Sequence, residues 1–279
     1  GGLCPADAES AVPAQRVNRV PQQHPYISPK PDNGAGIHSL RIIFYRRSNM
    51  RINAKMLGFF SGFPSRQFPA DIAERLKKEL VIRAHLVFIS AWPWDDERNN
   101  RDAAGMHAMF EQYGMPFTEY SVIDKRTNAI EAQRLIRKAS CIFLMGGHAT
   151  QQFQLICEKG ILDEIRGSSA VVLGISAGAS NMAIRALDIW ESLVPYGGLG
   201  LADITVKAHI TPENQELLRT LIKVTIEQNI PICAMEDNSA IFVKGNSVTH
   251  IGQIHWISKG EIHPFSPERL YRQWEKDGK

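Results

Sequence analysis

Cysteine is scarce in this chain of 279 residues, and the four present, Cys4, Cys141, Cys157 and Cys233, form no CxxC pair. That scatter argues against a structural zinc site or a disulfide framework and fits a reducing, cytoplasmic setting. Long apolar runs are also missing. None approaches the ~18–20 residues that a membrane-spanning helix requires, so no membrane partner is expected. Neither sign of charge dominates, with 32 Lys+Arg against 29 Asp+Glu and a net charge of +3. The excess sits in residues 1–49, which hold six basic and three acidic side chains, while the remaining 230 hold 26 of each sign. A strongly basic body is therefore absent, and no nucleic-acid partner is expected. What is present is 44% hydrophobic residues, enough for a sizeable core.

Residues 1–49 also carry six of the fifteen prolines, from Pro5 to Pro31, and show no sustained periodicity before Ile42–Tyr45. They read as a flexible or irregular leader. Its basic Arg41-to-Arg47 patch reads as a solvated tail rather than a docking surface. No charged n-region precedes an apolar h-region, so the leader is not a secretory signal. Met50 and Met56 both suit a native start, part of the leader then being foreign to the native protein.

From residue 50 to 279 the chain reads as a single α/β hydrolytic domain. Apolar strands at 56–61, 84–90, 118–123, 140–145 and 170–175 alternate with helical stretches near 69–80, 98–113, 127–138 and 150–166. That alternation predicts parallel βαβ units, and near-continuous apolar segments such as Ala84–Ser90 suit strands buried on both faces. Beyond residue 200 the pattern predicts a strand at 203–208 and a helix at 212–228. Short strands follow near 231–235, 239–243, 247–251 and 254–258, then a last helix at 267–276. Gly245-Asn246 is a turn signal between two of these strands.

The strongest chemical signal is Gly174-Ile175-Ser176-Ala177-Gly178, placed between the apolar run Ala170–Leu173 and a small-residue stretch suited to a helix. A strand, then Gly-x-Ser-x-Gly, then a helix makes a nucleophile elbow, in which a tight turn lifts the serine hydroxyl clear of the sheet. The amide N–H groups of the following helix start face a developing oxyanion. A serine hydroxyl needs a base. His209 lies where a strand ends and a helix is about to begin, the edge at which active sites of open α/β sheets gather. His250, His255, His263, His107 and His148 are rivals less well placed. The third group is a carboxylate that orients the imidazole. Glu236 and Asp237 follow the strand Ile230–Ala234 at a similar edge, and sequence alone does not choose between them; Asp188 and Glu191 are weaker candidates. Upstream, Gly146-Gly147 follows another buried strand and lets backbone approach a substrate. The amides of Gly147 and Ala177 are the candidate oxyanion hole.

These residues, in this order, resemble the serine-peptidase family that includes dipeptidase E (aspartyl dipeptidase) and cyanophycinase. The likeness spans about 56–260 and rests on Phe143–Gln154, the elbow with Asn181 behind it, Tyr196–Leu201 leading to His209, and Glu236–Ile241. It implies a three-layer α/β/α sandwich with a mostly parallel central sheet, flavodoxin-like and similar to class I glutamine amidotransferases. It also implies Ser176 as nucleophile, His209 as general base and Asp237 as the acid. His148 stands where the family carries Asn. The nearest arginine after the elbow, Arg185, does not match the spacing of the arginine thought to meet an aspartyl substrate, so aspartyl specificity is not carried over. The expected activity is hydrolysis of a small peptide through an acyl-enzyme, with no cofactor and no metal ion. Self-association as a homodimer is left open. Two other readings are an α/β-hydrolase esterase, in which Asp237 would act with His250 or His255, and a non-catalytic amidotransferase-like binding protein. Amidotransferase chemistry is not expected, because it uses a cysteine where Ser176 stands.

Overall fold

The computed structural model describes residues 55–188 and 192–276. The leader and Glu191 fall outside that range. The first part alternates strand and helix: β1 (Met56–Phe60), α1 (Ala70–Glu79), β2 (His85–Ile89), α2 (Asp96–Gln112), β3 (Glu119–Ile123), α3 (Ala129–Lys138) and β4 (Cys141–Leu144). Next come α4 (Ala149–Glu158), α5 (Leu162–Gly167), β5 (Val171–Ile175), α6 (Ala177–Met182) and the hairpin β6 (Arg185–Asp188) and β7 (Ser192–Gly197). The last part holds β8 (Val206–Lys207), α7 (Gln215–Glu227), β9 (Ile232–Met235), β10 (Ala240–Lys244) and β11 (Ser247–Ile251). It ends with β12 (Ile254–Ser258), β13 (Glu261–Pro264) and α8 (Pro267–Lys276).

Seven strands form the central sheet in the order β11-β10-β1-β5-β4-β2-β3. The five from β1 to β3 run parallel, and β10 and β11 add an antiparallel edge. Strand periodicity divides their side chains between two faces. Phe60, Leu86, Phe88, Cys141, Phe143 and Leu173 pack with Ile72 and Leu76 of α1 and Phe110 of α2. Their neighbours Phe59, Val87, Ile89, Ile142, Leu144 and Val172 pack with Leu135 and Ile136 of α3, Ile156 of α4 and Met182 of α6. With both faces covered, β1, β2 and β4 are buried along their whole length. Their unbroken apolar sequence follows from that double burial.

A four-stranded sheet, β13-β12-β9-β8, adds a feature that sequence periodicity did not separate from the first. Val206, Cys233, Met235 and Trp256 join the core of the central sheet. Ile232, Ala234 and Ile257 face the other way, onto Leu218, Leu221 and Val224 of α7. Three local departures from the predicted elements have visible causes. The helix expected over 150–166 is two helices, because Gly160 takes a left-handed φ of 62° just after the end of α4. The strand expected over 203–208 shortens to the two residues that pair with Cys233 and Ala234 of β9. The hairpin β6–β7 and the edge strand β13 went unread, since each is short and contains or abuts a proline or glycine.

Candidate active site

The parallel strands β1, β4 and β5 end at one edge of the central sheet, and Ser176 sits on that edge between β5 and α6. Its backbone is in an unusual region, φ 53° and ψ −112°, which costs a non-glycine residue roughly 1–3 kcal/mol. The neighbouring framework holds it there. The Ser176 N–H donates to Phe60 O at 2.9 Å, tying the turn to the end of β1. The two glycines of the motif answer to close packing. A Cβ at Gly178 would lie 2.1 Å from Leu144 O, and one at Gly174 would lie 2.6 Å from the carbonyl carbon of Gly178.

His209 and Asp237 come from the second sheet, just past the ends of β8 and β9. The Ser176 hydroxyl lies 2.9 Å from His209 Nε2, and His209 Nδ1 lies 2.7 Å from Asp237 Oδ1. A carboxylate only accepts, so Nδ1 carries the proton and donates it, which leaves the Nε2 lone pair facing the serine O–H. The side chains of His209 and Asp237 are 49% and 36% exposed, so the pair is open to solvent from one side. Glu236 points elsewhere, to His255 Nε2 at 2.7 Å. His250 packs its ring against Phe265 at 5.1 Å, so neither of the two late histidines is joined to Asp237. Asp188 and Glu191 have no described side chains.

Gly146 and Gly147 form the turn after β4 that lies against the serine. A Cβ on Gly146 would sit 3.5 Å from Ser176 Cβ, and Gly147 has a left-handed φ of 143° with the Trp92 indole pressed against it. His148 stands edge-on to Trp92 at 4.2 Å, and the Arg98 guanidinium covers the same ring at 4.0 Å. Two buried amides brace this turn. Gln152 Nε2 donates to Ile89 O at 2.9 Å and Met145 O at 3.0 Å, while Asn181 Nδ2 donates to Ala149 O at 2.8 Å and Gln152 Oε1 at 3.0 Å. The Tyr196 hydroxyl donates to Asn181 Oδ1 at 2.6 Å, linking hairpin β6–β7 to α6.

Ser176, Ala177, Gly147 and His209 open into a cavity of about 220 Å³, walled also by Trp92, Arg98, Leu187 and Lys207. Arg185 lies away from it, beside a small cleft with Asp203 and Trp256. Lys207 donates to Ala208 O. Burial pushes the thiols of Cys141 and Cys233 well up, so neither supplies a thiolate near neutral pH. Among the described residues, no group of three or more His, Cys, Asp or Glu side chains is arranged to hold a metal ion. No helix among them is long and apolar enough to cross a membrane.

Four contributors went unread in the sequence: Ser61, Gly62, Trp92 and Arg98. The first two follow β1 at the same carboxyl edge that singled out His209, and that position was the available signal. The Ser61 hydroxyl accepts from the His209 N–H at 2.8 Å.

The model of peptidase family S51 matches residues 96–251, more than half of the chain and the span that holds Ser176, His209 and Asp237. No curated protein matches the chain significantly by sequence. Among solved structures, a peptidase from an acI-B1 Actinobacterium superposes with a TM-score of 0.58 at 14% identity, covering 77% of this chain and 95% of the other. A protein assigned as a peptidase E from Listeria monocytogenes EGD-e superposes with a TM-score of 0.54 at 20% identity, covering 71% of this chain and 98% of the other. Both likenesses carry the fold.

Proposed function

The chain belongs to peptidase family S51 and is a serine-type peptidase, and from that premise we propose that it hydrolyses a peptide bond in small peptides, dipeptides included, through Ser176, His209 and Asp237. The observation that carries the reading is the unbroken relay Ser176 Oγ–His209 Nε2 at 2.9 Å and His209 Nδ1–Asp237 Oδ1 at 2.7 Å, opening into a walled cavity. A cavity of about 220 Å³ beside Ser176 has room for one or two peptide residues, which supports a small-peptide substrate.

In this reading the Ser176 oxygen attacks the scissile carbonyl carbon while its proton passes to His209 Nε2. The carbonyl oxygen becomes an oxyanion and turns toward the amides of Gly147 and Ala177. Asp237 holds the ring in the required tautomer and offsets the imidazolium charge. The proton then moves from Nε2 to the leaving nitrogen, the C–N bond breaks and an acyl-enzyme remains. Water repeats the cycle: it gives its proton to His209 and attacks the ester carbon, and as the C–Oγ bond breaks His209 returns that proton to Ser176 Oγ and the acid is released. The exposed side of the His209–Asp237 pair gives that water a route. Cys141, Cys157 and Cys233, free of disulfides, support a cytoplasmic setting.

The test is a library of dipeptides and short peptides offered to wild type and Ser176→Ala, with labelling by a fluorophosphonate in parallel. Wild type should cleave a subset of the library and take the label. Ser176→Ala should lose the label and at least about 10⁴-fold in kcat. Cleavage by both proteins at similar rates overturns the assigned nucleophile. A fluorophosphonate that leaves wild type unlabelled, with no peptide cleaved, returns the chain to a binding role.

A further inference from the structure

The nucleophile and the base ride on different sheets, Ser176 after β5 of the central sheet and His209 after β8 of the second. Their 2.9 Å contact therefore depends on how the two sheets are fastened at this edge. Consecutive residues at the end of β1 do the fastening. Phe60 O accepts the Ser176 N–H at 2.9 Å, and the next residue's hydroxyl, Ser61 Oγ, accepts the His209 N–H at 2.8 Å. Ser61 is fully buried. Its own proton goes to Met235 O at 3.0 Å, with Asp237 Oδ1 at 3.3 Å. Backbone bonds reinforce the seam, from Ser61 N–H to Ser239 O at 3.2 Å and from Asn238 N–H to Gly62 O at 2.8 Å. His209 has a left-handed φ of 57°, a conformation that a side chain disfavours and that surrounding bonds must hold.

We propose that Ser61 is a positioning residue: its buried hydroxyl holds the His209–Asp237 pair of the second sheet in register with Ser176 of the first. The end of β1 thereby acts as a common reference for the nucleophile's backbone and the base's. Ser61 touches no reacting atom, and its kinetic consequence rests on the function proposed above. It also lies outside residues 96–251, the span matched by the family model.

Ser61→Ala removes the acceptor for His209 N–H and leaves the fold's apolar core untouched. The expected result is a kcat about tenfold lower or less with KM little changed, the size of one lost hydrogen bond. Thr225→Ala is the control, since Thr225 is also buried, bonds Ile222 O at 2.7 Å and sits on α7. It should lose comparable thermal stability and keep wild-type kcat. The second readout is the NMR signal of the His209 Nδ1 proton, assigned by its disappearance in Asp237→Asn. In Ser61→Ala this signal should broaden through exchange with water. A sharp, unshifted signal in Ser61→Ala overturns the proposal, whatever happens to kcat. A kcat loss that Thr225→Ala reproduces overturns it as well. A broadened signal with undiminished kcat keeps Ser61 as the positioning residue and removes the His209–Asp237 pair from the mechanism. Should Ser176→Ala stay active, the proposed function falls and the proton signal alone decides on Ser61.

Discussion

Gly62 carries no side chain because two functional groups occupy the place of one. A Cβ there would lie 2.5 Å from His209 Cε1 and 2.6 Å from Asp237 Oδ1, closer than a Cβ approaches a non-bonded atom without displacing it. Gly62→Ala should therefore move the imidazole or the carboxylate by a few tenths of an ångström to about an ångström. Displacements of that order cost catalysis up to about 10²-fold. The check is kcat alongside the melting temperature: a large fall in kcat with a modest fall in stability is expected, and unchanged turnover removes the crowding argument. Gly178→Ala should differ in kind. Its Cβ meets the backbone oxygen of Leu144, not a mobile side chain, so the fold itself resists. The contrast also shows what a sequence discloses at this scale. Ser176, His209 and Asp237 are legible because each is a reactive residue type just past an apolar strand. The choice between Glu236 and Asp237 is not, because adjacent residues of a turn point in opposite directions and only the folded loop decides which one meets His209. Ser61 and Gly62 carry no motif at all, since a buried serine accepting a backbone N–H looks like any serine at the end of a strand.

Strands buried on both faces declare themselves in sequence, whereas edges do not, and His85 shows why edges deserve separate treatment. It opens β2 beside the edge strand β3, with Nε2 2.9 Å from Ser121 Oγ and Nδ1 3.5 Å from Glu119 Oε1. Burial holds its imidazole below the ordinary value, and the Glu119 carboxylate opposes that shift only in part. The unfolded chain therefore takes up this proton at higher pH than the folded one. The stability His85 confers in its neutral form is complete above the ordinary histidine pKa and is lost as pH falls from there toward the lowered folded value. Acidification from about pH 7 to pH 5 should thus lower the melting temperature more in wild type than in His85→Asn, which has no proton to gain. Equal losses in the two proteins exclude the edge histidine as a contributor. The elements that escaped sequence reading belong to the same class. β13 pairs on one side only, and the hairpin β6–β7 forms a sheet of its own, so neither needs the long apolar run that marks β2 or β4. The α4–α5 break at Gly160 is a single left-handed residue inside an otherwise helical pattern, and the isolated glycine was the only available sign.

At the scale of the whole chain from residue 55, the site lies at a seam. The central sheet presents Ser176, the second sheet presents His209 and Asp237, and the core that includes Phe59, Met182, Val206 and Met235 runs beneath both. The βαβ alternation made the first sheet legible and recurs as β8–α7–β9 in the second, but that this unit forms a sheet of its own, with β12 antiparallel on β9 across β10 and β11, is a pairing that no local pattern encodes. The second sheet also has an apolar layer of its own, in which Leu221 of α7 is fully buried among Leu187, Ile210, Ile232 and Ile257. No residue of that layer belongs to the proposed relay, so Leu221→Ala probes the seam without touching the chemistry. The cavity should cost about 2–5 kcal/mol, and the loss should fall on one side. Amide exchange should quicken in Gln215–Glu227 and Ile232–Met235 and stay slow in Ala70–Glu79, which packs on the far face of the central sheet. Fluorophosphonate labelling of Ser176 should slow in step, because in the proposed relay the serine's activation depends on where the second sheet holds His209. Uniform quickening across all three segments would mean that the two sheets open as one cooperative unit. The seam would then be a matter of geometry and not of stability, and Ser61 would be fastening parts that never separate.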